Sequence, residues 1–334
     1  MEIIMKTELL KELVAPLGVS GNEGRISDTI RAIMEPLCDE CYNDAMGNLI
    51  AVKRGTGAHH KKTMLCAHMD EIGFIVTYIE DNGAIRFATI GGINFTAFSY
   101  SQVVSDKGVK GVMVPDAGTK AGEITFDKCY IDIGASDRRE AERRVSVGDC
   151  FGVVSGITRL GGSRVIGHPL DDRAGCAVLV MVAEQLGECE DDVYFVFSVQ
   201  EEVGCRGAKP AAFAIAPDRA LVFDVTMTGD VPGAKPMAVK LGHGAAIKVK
   251  DSSVICHTGM VAELIETAKQ NKIKYQCEVL VAGGTDTSSI QMSGAGCPAA
   301  AISIPSRFIH SNVEMIDLTD LEATTALTLA YLRR

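Results

Sequence analysis

The run DVYFVFSVQ at 192–200 is the segment that leaves the chain least freedom. It is rich in β-branched and aromatic residues, and both of its alternating faces are apolar. That pattern describes a strand that must be covered on both sides, as in a parallel sheet packed between helices. The surrounding sequence agrees. DDRAGCAVLVMVAEQLG (171–187) reads as a helix; helix 207–215, strand 219–225, helix 259–271, strand 273–280, helix 286–293 and strand 298–304 then follow in alternation. Upstream, residues 6–17 and 23–37 show helical periodicity, separated by the turn VSGNEG, and 47–55 reads as a strand. Residues 62–79 hold two strand-like runs broken around Asp70 and Glu71. The expected fold class is α/β, a mostly parallel sheet covered by helices.

Between about 73 and 165 the texture changes to short β-branched runs divided by glycines, such as AIRFATIGGI, SQVVSDKGVKGVMVP and DCFGVVSGITRLGG. That spacing predicts a small β-barrel or sandwich and not βα units. The expected organisation is an α/β domain formed by 1–71 and 166–334, carrying 72–165 as an inserted β-barrel-like domain. With 334 residues and 47% hydrophobic content, the chain can bury a core of that size.

Composition removes several classes of function. The formal net charge is −10, so the surface repels phosphate backbones and a nucleic-acid partner is not expected. The longest apolar run near a helix, CAVLVMVA at 176–183, is far too short to span a bilayer. The N-terminal stretch lacks an apolar signal core, and the 11 scattered cysteines suit a reducing compartment, so a cytoplasmic location is expected. Cys38 and Cys41 form a lone C-x-x-C pair, read as structural thiols because a zinc ribbon needs a second pair.

Five segments place metal-type ligands at the ends of expected strands, where α/β sheets bind ligands. LCAHMDEIG carries His68 and Asp70, two apart on an extended segment and therefore on one face, so the Asp can accept the ring N–H turned away from a metal. GHPLDDRAG carries Asp171 and Asp172 at the start of a helix. Helix capping alone explains two acids there, whereas a functional reading has one of them bridge two cations, and Asp171, following Leu and Pro, is the inward candidate. VFSVQEEVGCRGA is the sharpest: Glu201 and Glu202 end an apolar strand, and buried carboxylates are costly unless paired or metal-bound. Asp224 ends the apolar run ALVFD, and His310 follows the last strand in SIPSRFIHSNVE. His168 is a nearby decoy read as structural. Two imidazoles with three carboxylates suit zinc, cobalt or manganese, and a shared Asp171 would leave each ion one His, one terminal carboxylate and an open position for water.

HMDEIGFIV, LDDRAG, VQEEVGCRGA, VFDVT, GGTDTSSI and IPSRFIHS, in this order, resemble the tetrahedral (TET) aminopeptidases, the glutamyl aminopeptidase/endoglucanase-like metallopeptidases. The likeness runs nearly end to end, from SGNE through DAMGNLI to the last motif. It implies a co-catalytic site for two divalent ions, zinc or cobalt, with one held by His68 and Asp224, the other by Glu202 and His310, and Asp171 shared. By motif position Glu201 is the general base, and Asp70 orients His68. The implied activity is removal of the N-terminal residue from short peptides. The implied fold is an α/β peptidase domain with an inserted barrel-like domain that mediates dimerisation, and dimers in such families assemble into a hollow dodecamer.

GGTDTSSI, with Gly284, Thr285 and Asp286, is a candidate lining for the first substrate side chain; the alternative is a loop leading into a helix. Competing functions are an endo-1,4-β-glucanase-type glycoside hydrolase and a dinuclear carboxypeptidase or deacylase. Against the first, Glu201 and Glu202 are adjacent in sequence, a poor placement for two carboxylates flanking a sugar, and the chain has no Trp for stacking.

Overall fold

The computed structural model describes residues 2–58, 61–154 and 156–334. Four parallel strands form the centre of an eleven-stranded sheet: Asp192–Ser198 beside Lys62–His68, then Arg219–Met227, then Ala299–Arg307. Every residue of Asp192–Ser198 is buried, which is the outcome its unbroken apolar run demands. Antiparallel strands extend both sides. Leu49–Lys53 and Glu40–Asn43 lie beyond Asp192–Ser198, and Glu314–Asp317, Arg164–Gly167 and Thr158–Arg159 lie beyond Ala299–Arg307. A parallel pair, Ala245–Lys250 and Tyr275–Val279, branches from Ala299–Arg307.

Helices Arg173–Gln185 and Leu318–Leu332 pack on each other and on the central strands, joined by Glu2–Val14, Gly24–Met34 and Thr258–Gln270. Ala208–Ile215 and Asp286–Gln291 form a separate helical group against the same strands. The architecture is thus α/β with a large, mostly parallel sheet, as the alternating pattern predicts. Among the described residues no helix is long and apolar enough to cross a membrane.

The glycine-punctuated stretch forms a closed six-stranded barrel from Gly73–Ile79, Ile85–Ile90, Cys129–Asp132, Lys110–Pro115, Gln102–Ser105 and Cys150–Val153. Closure leaves no unpaired edge. The barrel has its own core, in which Phe74 meets Phe87 and Phe98 edge-on at centroid distances of 4.7 and 6.3 Å. All 11 cysteines are free thiols, and Cys38 and Cys41 pack against the main core.

Register sets the level of the site. Ser198 lies opposite His68, so those two strands end together. Asp224 differs from expectation: it sits inside Arg219–Met227, opposite Ser303, and does not end a strand. The pairing continues to Met227, and this extra length carries the strand past the acid and along the pocket wall.

Candidate metal centre

The Lys62–His68 strand delivers His68 into a buried position beside the start of helix Arg173–Gln185. Asp171 immediately precedes that helix's cap. Its two carboxylate oxygens face different imidazoles: Oδ1 lies 3.1 Å from His68 Nε2, and Oδ2 lies 3.4 Å from His310 Nε2. Asp224 Oδ1 is 3.9 Å from His68 Nε2. Glu202 Oε2 is 3.2 Å from His310 Nε2. His68, Asp171, Glu202, Asp224 and His310, spread over more than 240 positions of sequence, therefore converge on one cavity of about 480 Å³.

Glu201 lines the same cavity and accepts from the Cys205 thiol at 3.1 Å. Asp70 lies one layer deeper and is fully buried. The sequence pointed to its carboxylate as partner of the His68 ring. The nearer acceptor for His68 Nδ1 is the Asp70 backbone carbonyl, at 3.2 Å, with the carboxylate at 3.5 Å. The carboxylate is occupied elsewhere: it accepts from the Ser20 hydroxyl (2.6 Å) and from the backbone N–H groups of Glu201 (2.9 Å) and Glu202 (3.2 Å). Asp70 thus ties the segment bearing both glutamates to the segment bearing His68.

The neighbouring acid Asp172 neither faces solvent nor pairs with Arg173. Its Oδ1 accepts from the Gly175 N–H at 2.9 Å, capping the helix, while Oδ2 is buried without a hydrogen-bond partner. Arg173 turns away to the carbonyls of Leu13, Pro16 and Met69 and to Glu71. His168 is buried behind the cavity, with Glu71 and Glu314 at 3.6 and 3.7 Å.

Two features of the site gave no sequence signal strong enough to single them out. Glu314, buried, closes the segment that carries His310. Its Oε2 accepts from the backbone N–H groups of Leu170 (2.6 Å) and Asp171 (3.0 Å), and its Oε1 from that of His310 (3.0 Å). The barrel also reaches the site: a Cβ built on Gly92 would stand 3.2 Å from His310 Nδ1, and one on Gly91 3.3 Å from Glu202 Cβ. Of the candidate substrate residues, Gly284 lines the cavity. Thr285 is the buried cap of helix Asp286–Gln291, and Asp286 is buried beneath, accepting from the Ser198 hydroxyl at 2.5 Å.

The electrostatics describe a nest of acids short of positive charge. Burial pushes the carboxyls of Glu201 and Asp224 well above their ordinary range, and raises that of Glu202. Burial opposes a charge on His68, but its bonds to Asp171 and Asp70 outweigh that and lift it well above the usual imidazole value. For His310 burial is likewise outweighed by Asp171 and Glu202, and its pKa is raised to about 11. Asp171, between the two rings, is held low despite its burial. Donor atoms of His68, Asp172 and Asp224 lie within 4.8 Å of one another, as do those of His68, Asp171 and Glu202. Imidazole nitrogens and carboxylate oxygens at this density, with one buried carboxylate oxygen lacking any partner, fit divalent cations of the zinc type.

Comparison with known proteins gives a consistent result. The family model described as M42 glutamyl aminopeptidase matches residues 47–327. The lysyl aminopeptidase of Pyrococcus furiosus is 35% identical over 97% of this chain and 96% of its own length. The solved structure of aminopeptidase APDkam598 from Desulfurococcus kamchatkensis superposes with a TM-score of 0.96 at 35% identity, covering 100% of this chain and 96% of that one. The TET1 peptidase of Pyrococcus horikoshii, which assembles into a tetrahedron or a large octahedral shell, gives a TM-score of 0.88 at 33% identity over 98% and 99% of the two chains. With its α/β sheet, its barrel and its nest of imidazoles and acids, the chain belongs to the M42 glutamyl aminopeptidase family of metal-dependent peptidases.

Proposed function

We propose that this chain removes the N-terminal residue of short peptides at a site for two divalent metal ions, zinc or cobalt. The observation that carries the reading is Asp171, whose two oxygens are turned to His68 and His310 respectively. His68 and Asp224 would hold one ion, Glu202 and His310 the other, and Asp171 both. Bound there, the ions supply Lewis acidity toward the scissile carbonyl and lower the pKa of a water.

Glu201 projects into the cavity without an imidazole partner, beside the ligand Glu202. It is the general base that takes a proton from the attacking water and returns it to the leaving amine. Burial raises its carboxyl above the ordinary range, which strengthens it as a proton acceptor. Asp70 acts as a positioning residue, through the amides of Glu201 and Glu202 and through the loop that carries its own carbonyl to His68. The acidic wall attracts a free ammonium terminus and disfavours a blocked one, which supports exopeptidase action. The catalytic domain is formed by 1–71 and 166–334, and 72–165 is the inserted domain that mediates dimerisation. Copies of the chain assemble through dimers to a dodecamer, a reading supported by the shell-forming relative, and the free thiols support a cytoplasmic location.

Metal analysis combined with turnover tests this reading. The parent protein should hold two divalent ions per chain, release amino acids from free-amine peptides but not from N-acetylated ones, and lose that activity to a chelator. Glu201→Gln should keep both ions and lose at least about 100-fold in kcat. Asp171→Asn should lose both ions together. Loss of a single ion would remove the shared role of Asp171, and a Glu201→Gln variant with near-normal kcat would remove Glu201 as base.

A further inference from the structure

The cavity has two unlike walls. One is made of the acids and imidazoles already described. The other is formed by Met227, Leu280 and Ile309, with Ser253, Ser288 and the glycines at 283 and 284 between them. The first substrate side chain has to lie on this second wall, because the first is taken up by the reacting groups.

The hydroxyls on that wall are all committed inward. Thr226 Oγ1 donates to Glu278 at 2.8 Å, Ser253 Oγ to Asp251 at 2.8 Å, and Ser288 Oγ to the Thr285 carbonyl at 3.2 Å. The Cys205 thiol is engaged by Glu201. Among the described residues of this wall, no Lys or Arg stands ready for an acidic side chain, and the hydroxyls are engaged. A basic side chain lying on this wall would find no carboxylate among its described lining residues, since the acids, Glu201 included, stand on the reacting wall. Buried charge without a partner is strongly disfavoured, while apolar surface gains from contact.

The adjoining groove extends the same character. It shares Met227, Leu280 and Ile309 with the cavity and continues past Val231, Met237 and Val281. Of the two cations on that groove, Arg307 is held by Asp230 at 2.7 and 3.2 Å, and Lys235 is exposed. The floor is open because Gly284 carries no side chain: a Cβ there would come within 2.9 Å of Ser253 Oγ.

We propose that the enzyme selects peptides whose first residue is uncharged and apolar, of leucine or methionine size, and rejects both acidic and basic first residues. This rests on the aminopeptidase reading and adds the substrate class to it. The proposal separates this chain from relatives named for glutamyl or lysyl residues.

The test is a kcat/KM comparison on metal-loaded full-length protein with Leu-, Met-, Glu- and Lys-p-nitroanilide. Leu and Met should exceed Glu and Lys by at least about tenfold. Leu280→Glu, which places a carboxylate on the apolar wall, should raise the Lys-to-Leu ratio at least about tenfold. If that variant does not fold, the ratio is read from Met227→Glu, at a position already half exposed. A parent enzyme that prefers Glu or Lys overturns this specificity and leaves the aminopeptidase reading standing, as does a ratio unmoved by the substituted carboxylate. A parent that cleaves none of the four while holding two metal ions overturns both.

Discussion

Glu314 touches no candidate ligand side chain, yet it fixes two of them through their backbones. One oxygen takes the Asp171 N–H and the other the His310 N–H, so a single buried carboxylate ties the backbone of Asp171 to that of His310. Glutamine at this position keeps the shape but turns an N–H₂ toward one of those donors. Glu314→Gln should therefore weaken divalent-ion binding by about 10–100-fold, the usual scale for an outer hydrogen-bond partner of a metal ligand. Zinc or cobalt titration of the stripped protein checks this. A variant binding both ions as tightly as its parent would reduce Glu314 to a packing role. The convergence of the candidate ligands was legible in the sequence because each carboxylate or imidazole interrupts or ends an apolar run. Glu314 was not, because a buried acid that serves backbone amides looks, in one dimension, like any acid in a loop. Asp70 was half legible: its link to His68 follows from their spacing, whereas its grip on the amides of Glu201 and Glu202 crosses 131 and 132 positions of chain.

The helix Arg173–Gln185 owes its start to a contact that leaves no room. A Cβ on Gly175 would stand 2.2 Å from Asp172 Oδ2 and 2.6 Å from Oδ1. Asp172 is fully buried and cannot swing clear without breaking its cap on the Gly175 N–H. Gly175→Ala should cost about 1–3 kcal/mol, the range for overpacking combined with loss of a cap. It would appear as a lower denaturant midpoint at unchanged m-value, and an unchanged midpoint would show that the acid relaxes freely. The secondary-structure elements differ in how readable they were. The central strands were plain because burial on both faces makes them continuously apolar. The Ala245–Lys250 strand was hidden: Lys248 lies buried within it, paired with Glu278 and Asp251, and a charged residue in a core position defeats a hydrophobic pattern. The Leu318–Leu332 helix was hidden by its threonines, which suggest a strand. Thr324, Thr325 and Thr328 instead bury their hydroxyls by donating to the carbonyls four residues back.

At the scale of the whole molecule, the barrel and the α/β sheet share one boundary with the site. The glycines at 91 and 92 abut Glu202 and His310, and Asn312 reaches Ser101 at 3.0 Å. An assembly that holds the barrel therefore also holds the loop bearing His310, one of the candidate ligands. The proposed dodecamer has to overcome the repulsion of a chain carrying −10 formal charge, multiplied over twelve copies. Apolar contact is the available compensation: Phe213, Ile255 and Met292 stand 71%, 63% and 64% exposed, and the helices ending at Ile215 and Gln291 pack together. Salt shortens the reach of the repulsion, from about 30 Å at 10 mM to about 8 Å at 0.15 M, and leaves the apolar contacts intact. Light scattering should therefore find the mass of twelve chains at physiological salt and smaller species as salt is withdrawn. Met292→Glu should favour the smaller species at every salt concentration, because it adds charge where apolar area is needed. A parent protein that stays at the mass of one chain in 0.15 M salt would leave these residues as ordinary surface and the site complete within the single copy.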